Sequence, residues 1–328
     1  MNRFAFVGLG QMGQAMTKNL LEYGNIAKPL VLYNRTKSTA EAHSACLEGS
    51  RVAEDIPDAV LSSDIIWLCL QNEQAVEQAF ESILTVPIER KLFVNSSTIS
   101  PEKTDLIARR VLEAGGEFVA MPGIPLHSAN TTLKDYMLTR ATACLVMGEP
   151  TMAVTRSLTC VASGKAESVD RIRPYVQGVV GKTLVDLSGE EPGQAQMLKL
   201  MGNYLIMTTM ATVAEANTFA EKCGLGTVNM NKLMNAIFPN PPHAIYNRRM
   251  LSGEYYSGVP MVEVHKGIEL SDHVQEIANA CGASVDLYKV ARENLKIVQE
   301  HEGPGADITG MYGAVRVKSG LSYRNDPQ

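Results

Sequence analysis

Apolar positions fall along the chain in two different rhythms. Up to Leu187 they come as short runs, within Phe4–Val7, Val31–Tyr33, Asp64–Leu70 and Leu92–Asn95, and Lys182–Leu187 reads as the last strand. Runs of this length without alternation suit strands buried on both faces of a parallel sheet. Helix signals stand between them. A helix is predicted from about Gln74, and Ser100-Pro101 reads as the cap and first turn of another. Alternation of this kind predicts a doubly wound α/β sheet. From Gln194 the rhythm changes to one long helical pattern, ended by Gly224. It is rich in Met, Leu and Ala and is expected to be buried nearly all round. The remainder reads as helices near 225–237, 243–251, 260–281, 283–301 and 305–318. The expected organisation is an α/β domain over 1–187, a hinge at Ser188–Gly193, and an all-α domain over 188–328.

Composition narrows the partners. A net charge of −5, with no basic run, gives no electrostatic footprint for nucleic acid or a membrane surface. No apolar run reaches the roughly 18 residues of a membrane span. The first strand begins so close to Met1 that no cleavable signal is expected. Cys46, Cys69, Cys144, Cys160, Cys223 and Cys281 are scattered without a C-x-x-C pair. They are expected to be reduced thiols in a cytoplasmic protein, with no metal site.

Candidate chemistry begins at the first strand's end. Gly8, Gly10 and Gly13 form G-x-G-x-x-G between an apolar strand and a helix. The first glycine permits a sharp turn, the second lets a pyrophosphate approach, and the third lets the helix pack closely. The helix start offers N–H groups and a positive dipole end to phosphates. Gly8, Leu9, Gly10, Gln11, Met12 and Gly13 are therefore candidate dinucleotide-binding residues. The second strand ends in Asn34-Arg35-Thr36 where NAD sites carry an acid. Nothing there repels a 2′-phosphate, and Arg35 can bind it. NADP(H) is expected over NAD(H), with Asn34, Arg35 and Thr36 reading it. Leu70, Gln71, Ser97 and Thr98 end later strands on the ligand side of such a sheet and complete the cofactor set.

Lys199 and Asn203 lie at i and i+4 in the long apolar helix, on one face. A lysine there is unusual unless paired or functional, and burial would suit it to proton transfer. A snorkelling lysine at the helix start is the other reading.

GLGQMGQAM, the NRT turn, NSSTISP and GQAQMLKLMGN together resemble the β-hydroxyacid dehydrogenase family. That family includes 3-hydroxyisobutyrate dehydrogenase and shares its nucleotide domain with 6-phosphogluconate dehydrogenase. The resemblance covers nearly the whole chain. It implies a Rossmann domain followed by a helical domain that pairs two subunits. It also implies hydride transfer between NADP(H) and a small alcohol or ketone, with Lys199 as catalytic acid/base and Asn203 orienting it or the substrate. Imine reductases, close relatives and the first alternative, usually replace this lysine with Asp or Tyr; this chain keeps Lys199, which favours carbonyl/alcohol chemistry. A protein that binds NADP without turnover is a second. The family's second lysine would fall near Glu269-Leu270, and no role carries over to that position or to Lys266.

One stretch departs from the family. AMP at 120–122 resumes as VMGEP at 146–150, with GIPLHSANTTLKDYMLTRATACL between. The family's loop serine maps to Met147 and its preceding acid to Ala120. Neither can supply the usual hydrogen bonds to the substrate. Gly123–Leu145 is expected to be irregular and exposed. A functional lid, a tolerated surface insertion and a short intron read through in frame all fit. Resumption in register favours the last.

Overall fold

The computed structural model describes residues 1–124, 153–239 and 242–326. Among them, β1 (Arg3–Val7), β2 (Ala27–Tyr33), β3 (Ser50–Val52), β4 (Ile65–Leu68), β5 (Leu92–Asn95), β6 (Glu117–Ala120), β7 (Gly123–Ile124), β8 (Leu158–Gly164) and β9 (Gly181–Ser188) form one sheet. Its order is β3-β2-β1-β4-β5-β6-β8-β7, with β9 on β8. The six strands from β3 to β6 pair in parallel. The predicted doubly wound sheet is therefore present, with chain order reversing at β1 to leave a crevice at the strand ends.

The sheet is not parallel throughout. β8 runs antiparallel to both β6 and β7, through Ala120↔Ser163 and Gly123↔Cys160. This corrects the expectation for Gly123–Leu145 at its start. Gly123 and Ile124 are not irregular; they extend the β6 edge along β8 because Pro122 still offers its carbonyl to Val161 N at 3.2 Å. The other residues of that stretch, and Met147, lie outside the described residues.

Helices α1 (Gln11–Tyr23), α2 (Lys37–Ala45), α3 (Ile56–Leu61), α4 (Glu73–Ile83) and α5 (Pro101–Glu113) cross between strands. Local chemistry sets their starts. Asp55 caps α3 by accepting from Asp58 N, and Asn72 caps α4 by accepting from Ala75 N at 2.9 Å. Ser100 stands at the cap position of α5 as expected, but its side chain makes no capping bond. Its hydroxyl donates instead to Glu73 at 2.8 Å, because α4 brings that carboxylate alongside. The core around β1 and β4 is fully dry: Phe4, Phe6 and Trp67 have no exposed surface, and Phe6 stacks on Trp67 at 6.3 Å.

The long helix, Gly193–Lys222, begins as part of this first unit. Gly193 N donates to Asp105 Oδ1 at 2.7 Å, and Ser163 Oγ donates to Pro192 O and accepts from Ala195 N. The two compact units divide after Lys199, inside the helix, rather than at 187–188. Those anchors are the physical reason: they tie the helix start to α5 and β8.

The second unit runs from Leu200 through the later helices, Thr227–Ile237, His243–Leu251, Glu254–Ser257, Val264–Cys281, Asp286–Glu302 and Met311–Lys318. Its core gathers Met207, Met210, Val213, Tyr288, Leu295 and Tyr312. Arg249, with no exposed surface, is held by Asp307, Glu254 and the Val259 carbonyl. Burial all round, expected for the long helix, is not observed within the chain. Met201, Leu205, Thr212, Glu215 and Phe219 fall on one exposed stripe, with Phe219 74% exposed. Composition hid this, because large apolar residues stand on the stripe as well as on the buried face.

Candidate active site

The glycine turn acts through space, and each glycine differently. Gly8 has φ of +101°, and a Cβ on it would lie 2.3 Å from Cys69 O. A Cβ on Gly13 would lie 2.1 Å from Gly8 O, so α1 closes onto the turn itself. A Cβ on Gly10 would meet nothing within 4 Å. Gly10 also ends the turn as the N-cap residue of α1 with no side-chain cap, leaving the first-turn N–H groups of Gln11, Met12 and Gly13 without one. A donor-lined opening without side chains fits a pyrophosphate.

Asn34 does something the sequence does not advertise. Its Oδ1 accepts from Leu9 N at 3.0 Å and its Nδ2 donates to Thr36 O at 3.1 Å. The amide thus fastens the turn after β2 to the glycine turn. Arg35, Thr36, Lys37 and Ser38 are exposed beyond it.

The ends of β4 and β5 are laced together. Leu70 N donates to Ser97 Oγ at 2.8 Å, Ser97 N donates to Asn95 Oδ1 at 3.1 Å, and Trp67 Nε1 donates to Ser96 Oγ at 2.8 Å. The long helix closes on the same turn from the other side. Gln196 Nε2 donates to Ser97 O at 2.8 Å, and Lys199 Nζ donates to Thr98 Oγ1. Lys199 is 8% exposed, so the snorkelling reading fails: the ammonium is drawn inward to a hydroxyl. Asn203, also buried, lies one turn further along the helix.

A cavity of ≈ 210 Å³ opens here, lined by Met12, Met16, Cys69, Leu70, Gln71, Ser96, Ser97, Thr98, Met121, Gly123, Leu158, Cys160 and Lys199. Six of the sequence-predicted residues meet in it: Met12, Leu70, Gln71, Ser97, Thr98 and Lys199. Its walls are mainly apolar, and the Ser96 and Ser97 hydroxyls are already engaged. Thr98 and Lys199 are the polar pair at one wall. Burial pushes the Cys160 thiol up to about 12, so it stays protonated and inert. Leu9, buried, and Gly8, Gly10, Gln11, Gly13, Asn34, Arg35 and Thr36 belong to the neighbouring turns instead.

Sequence reasoning missed Asn95, Gln196, Met16, Met121 and Cys160. For Gln196 a signal existed: it stands three residues before Lys199, on the same helix face. Met16 comes in on α1, one turn after Met12, and the others are brought in by strand pairing. Among the described residues no cluster of His, Cys, Asp or Glu could hold a metal, and no helix is long and apolar enough to cross a membrane.

Comparisons with known proteins agree with this geometry. Residues 3–123 match the family model described as the NAD binding domain of 6-phosphogluconate dehydrogenase. Residues 193–315 match that described as NAD-binding of NADP-dependent 3-hydroxyisobutyrate dehydrogenase. An NADH-dependent oxidoreductase of Aspergillus ustus is 55% identical over 312 residues, 95% of this chain and 98% of that protein. In fold, the chain is similar to Mycobacterium tuberculosis 3-hydroxyisobutyrate dehydrogenase solved with L-serine, with a TM-score of 0.77 at 19% identity, covering 96% and 99% of the two chains. It is similar to an imine reductase of Bacillus cereus with a TM-score of 0.57 at 18% identity, covering 97% and 99%. With the glycine turn, the buried lysine and these relatives in hand, the chain belongs to the β-hydroxyacid dehydrogenase family and is an NAD(P)-dependent oxidoreductase.

Proposed function

We propose that the enzyme interconverts a small alcohol and its ketone or aldehyde, with Lys199 moving the proton. The observation that carries this reading is the buried Lys199 ammonium, bonded to Thr98 at the wall of a mainly apolar cavity. When bound, the nicotinamide supplies or accepts the hydride. Gln11, Met12 and Gly13 offer N–H groups to the pyrophosphate, and Leu70, Gln71 and Ser97–Thr98 shape the pocket for the ring. Lys199 donates a proton to the substrate oxygen in reduction and takes it back in oxidation. Its shielding from water keeps that proton from exchanging freely with solvent. Asn203 orients the lysine or the substrate.

NADP(H) is the preferred cofactor in this reading, because an exposed guanidinium at 35 and no acid at 34 suit a 2′-phosphate. The Aspergillus ustus relative is described as NADH-dependent, which makes the preference a direct test. The enzyme is read as a cytoplasmic homodimer. Leu205 (59% exposed) and Phe219 (74%) lie on one exposed stripe of the long helix, and large exposed apolar side chains of this kind support pairing with a second copy. A monomeric mass at micromolar concentration would overturn that assembly.

Substrate class is tested by supplying small hydroxy acids, ketones and cyclic imines with either cofactor. Turnover of alcohol and ketone without imine reduction supports the proposal. Imine reduction alone supports the imine reductase reading, and binding without turnover on any of them marks a nucleotide-binding protein. Ala120 where the family has an acid predicts poor use of simple 3-hydroxy acids.

A further inference from the structure

Gln196 is 1% exposed, and only one of its two amide ends is satisfied: Nε2 donates to Ser97 O, while Oε1 has no hydrogen-bond partner among the described residues. The orientation is fixed by chemistry, since a carbonyl can only accept. An apolar side chain of the same length would fill this space without burying an unpartnered oxygen. The amide is therefore there for its donor.

What that donor holds is the turn that carries Thr98. Ser97 is 2% exposed and already tied twice within the sheet, through its N–H to Asn95 and through its hydroxyl, which accepts from Leu70 N. The bond from Gln196 is the third tie, and it comes from the long helix. It fixes the plane of the peptide between Ser97 and Thr98. That plane helps to place the Thr98 backbone, and with it the Cβ from which Oγ1 reaches Lys199 Nζ. Gln196 and Lys199 stand at i and i+3, so the helix touches this turn at two points one turn apart. With the Gln196 bond gone, only Lys199 joins the helix to this turn, and the Ser97 carbonyl loses its tie from the helix.

We propose that Gln196 is a positioning residue for Lys199, acting through the Ser97 carbonyl and the Thr98 hydroxyl. The proposal rests on Lys199 being the proton-transferring group, but its test does not need turnover. Full-length protein labelled with 13Cε-lysine is titrated by NMR, with the Lys199 signal assigned by its loss in Lys199→Arg. Gln196→Met keeps the side chain's length without the donor. It is expected to move the Lys199 titration midpoint by roughly 0.5–1 pH unit, as a change in one hydrogen-bonding partner does.

Thr98→Val is expected to move the midpoint as well. The double variant moves it no further than Thr98→Val alone, because both changes act on one path. Gln196→Asn leaves its amide one methylene short of the Ser97 carbonyl and gives the same shift, which covers a methionine variant that fails to fold. An unmoved midpoint in the Gln196 variants, or additive shifts in the double variant, overturns the proposal. If Lys199→Ala keeps its kcat, the proton-transfer reading fails on its own account, while the coupling still stands or falls on the titration.

Discussion

In the proposed reading the residues that follow β2 decide the cofactor, and they can be perturbed in both directions. Arg35 is exposed, so its contact with a 2′-phosphate would be made in water and screened by salt. A charge-assisted hydrogen bond is worth about 1.5–3 kcal/mol, and screening at an exposed site reduces this one to about 1–2 kcal/mol. Arg35→Ala should therefore weaken NADPH binding by roughly 5–30-fold and leave NADH within about twofold. The reciprocal change is Asn34→Asp. Asn34 Oδ1 accepts from Leu9 N at 3.0 Å, and an aspartate oxygen can take over that bond, so the glycine turn stays fastened. Only the donation to Thr36 O is lost. The new carboxylate would repel a 2′-phosphate and accept from ribose hydroxyls, so NADPH should weaken and NADH tighten. Fluorescence titration of both cofactors against the three proteins, at low and high salt, measures this directly. High salt should narrow the NADPH difference between wild type and Arg35→Ala. Equal losses for NADPH and NADH in Arg35→Ala, or an Asn34→Asp protein with unchanged preference, would refute the reasoning. A wild-type protein that binds NADH more tightly than NADPH would share the NADH dependence for which its Aspergillus ustus relative is described.

Lys199→Ala should lower kcat by roughly 10²–10⁴ with NADPH affinity near wild type, since the lysine donates to the Thr98 hydroxyl and takes no part in the N–H groups offered to the pyrophosphate; parallel loss of cofactor binding in a titration would make it a structural residue. Arg51 grips Asp58 with two bonds of 3.0 Å, which with Glu54 N and the Ser62 hydroxyl holds its carboxyl near 2, below the ordinary 3.8. The folded value is depressed, so this stability is present above about pH 4 and lost as pH falls through about 2. Asp58→Asn should cost about 1 kcal/mol at pH 7, the partly exposed pair being screened, and the gap should close near pH 2 in thermal denaturation. Joining Pro122 to Val146 sets Val146 opposite Cys160 at the sheet position of Gly123. That protein should melt higher and retain or gain activity; a transcript that keeps these codons, with a deletion protein that loses activity, would make the segment a functional lid.

The sequence determined what is written in neighbouring residues. Leu92–Asn95 reads as a strand from its apolar run alone and is one to the residue. The glycine turn is legible because a positive φ and a backbone approach of about 2 Å tolerate no other side chain. Lys199 is legible because a charge in an apolar helix is anomalous wherever it packs. What tertiary structure decided depends on partners far along the chain. Asn34 reads as a cofactor residue until Leu9 N is brought to its amide, and Gln196 reads as ordinary until a strand end a hundred residues away meets it. Ser100 has the chemistry of a cap, yet a carboxylate from α4 competes for its hydroxyl. The antiparallel return of β8, the exposed stripe of the long helix and the division after Lys199 share one cause. Local periodicity fixes which residues form an element, but not which of two equally apolar faces is covered, nor which neighbour ties its end.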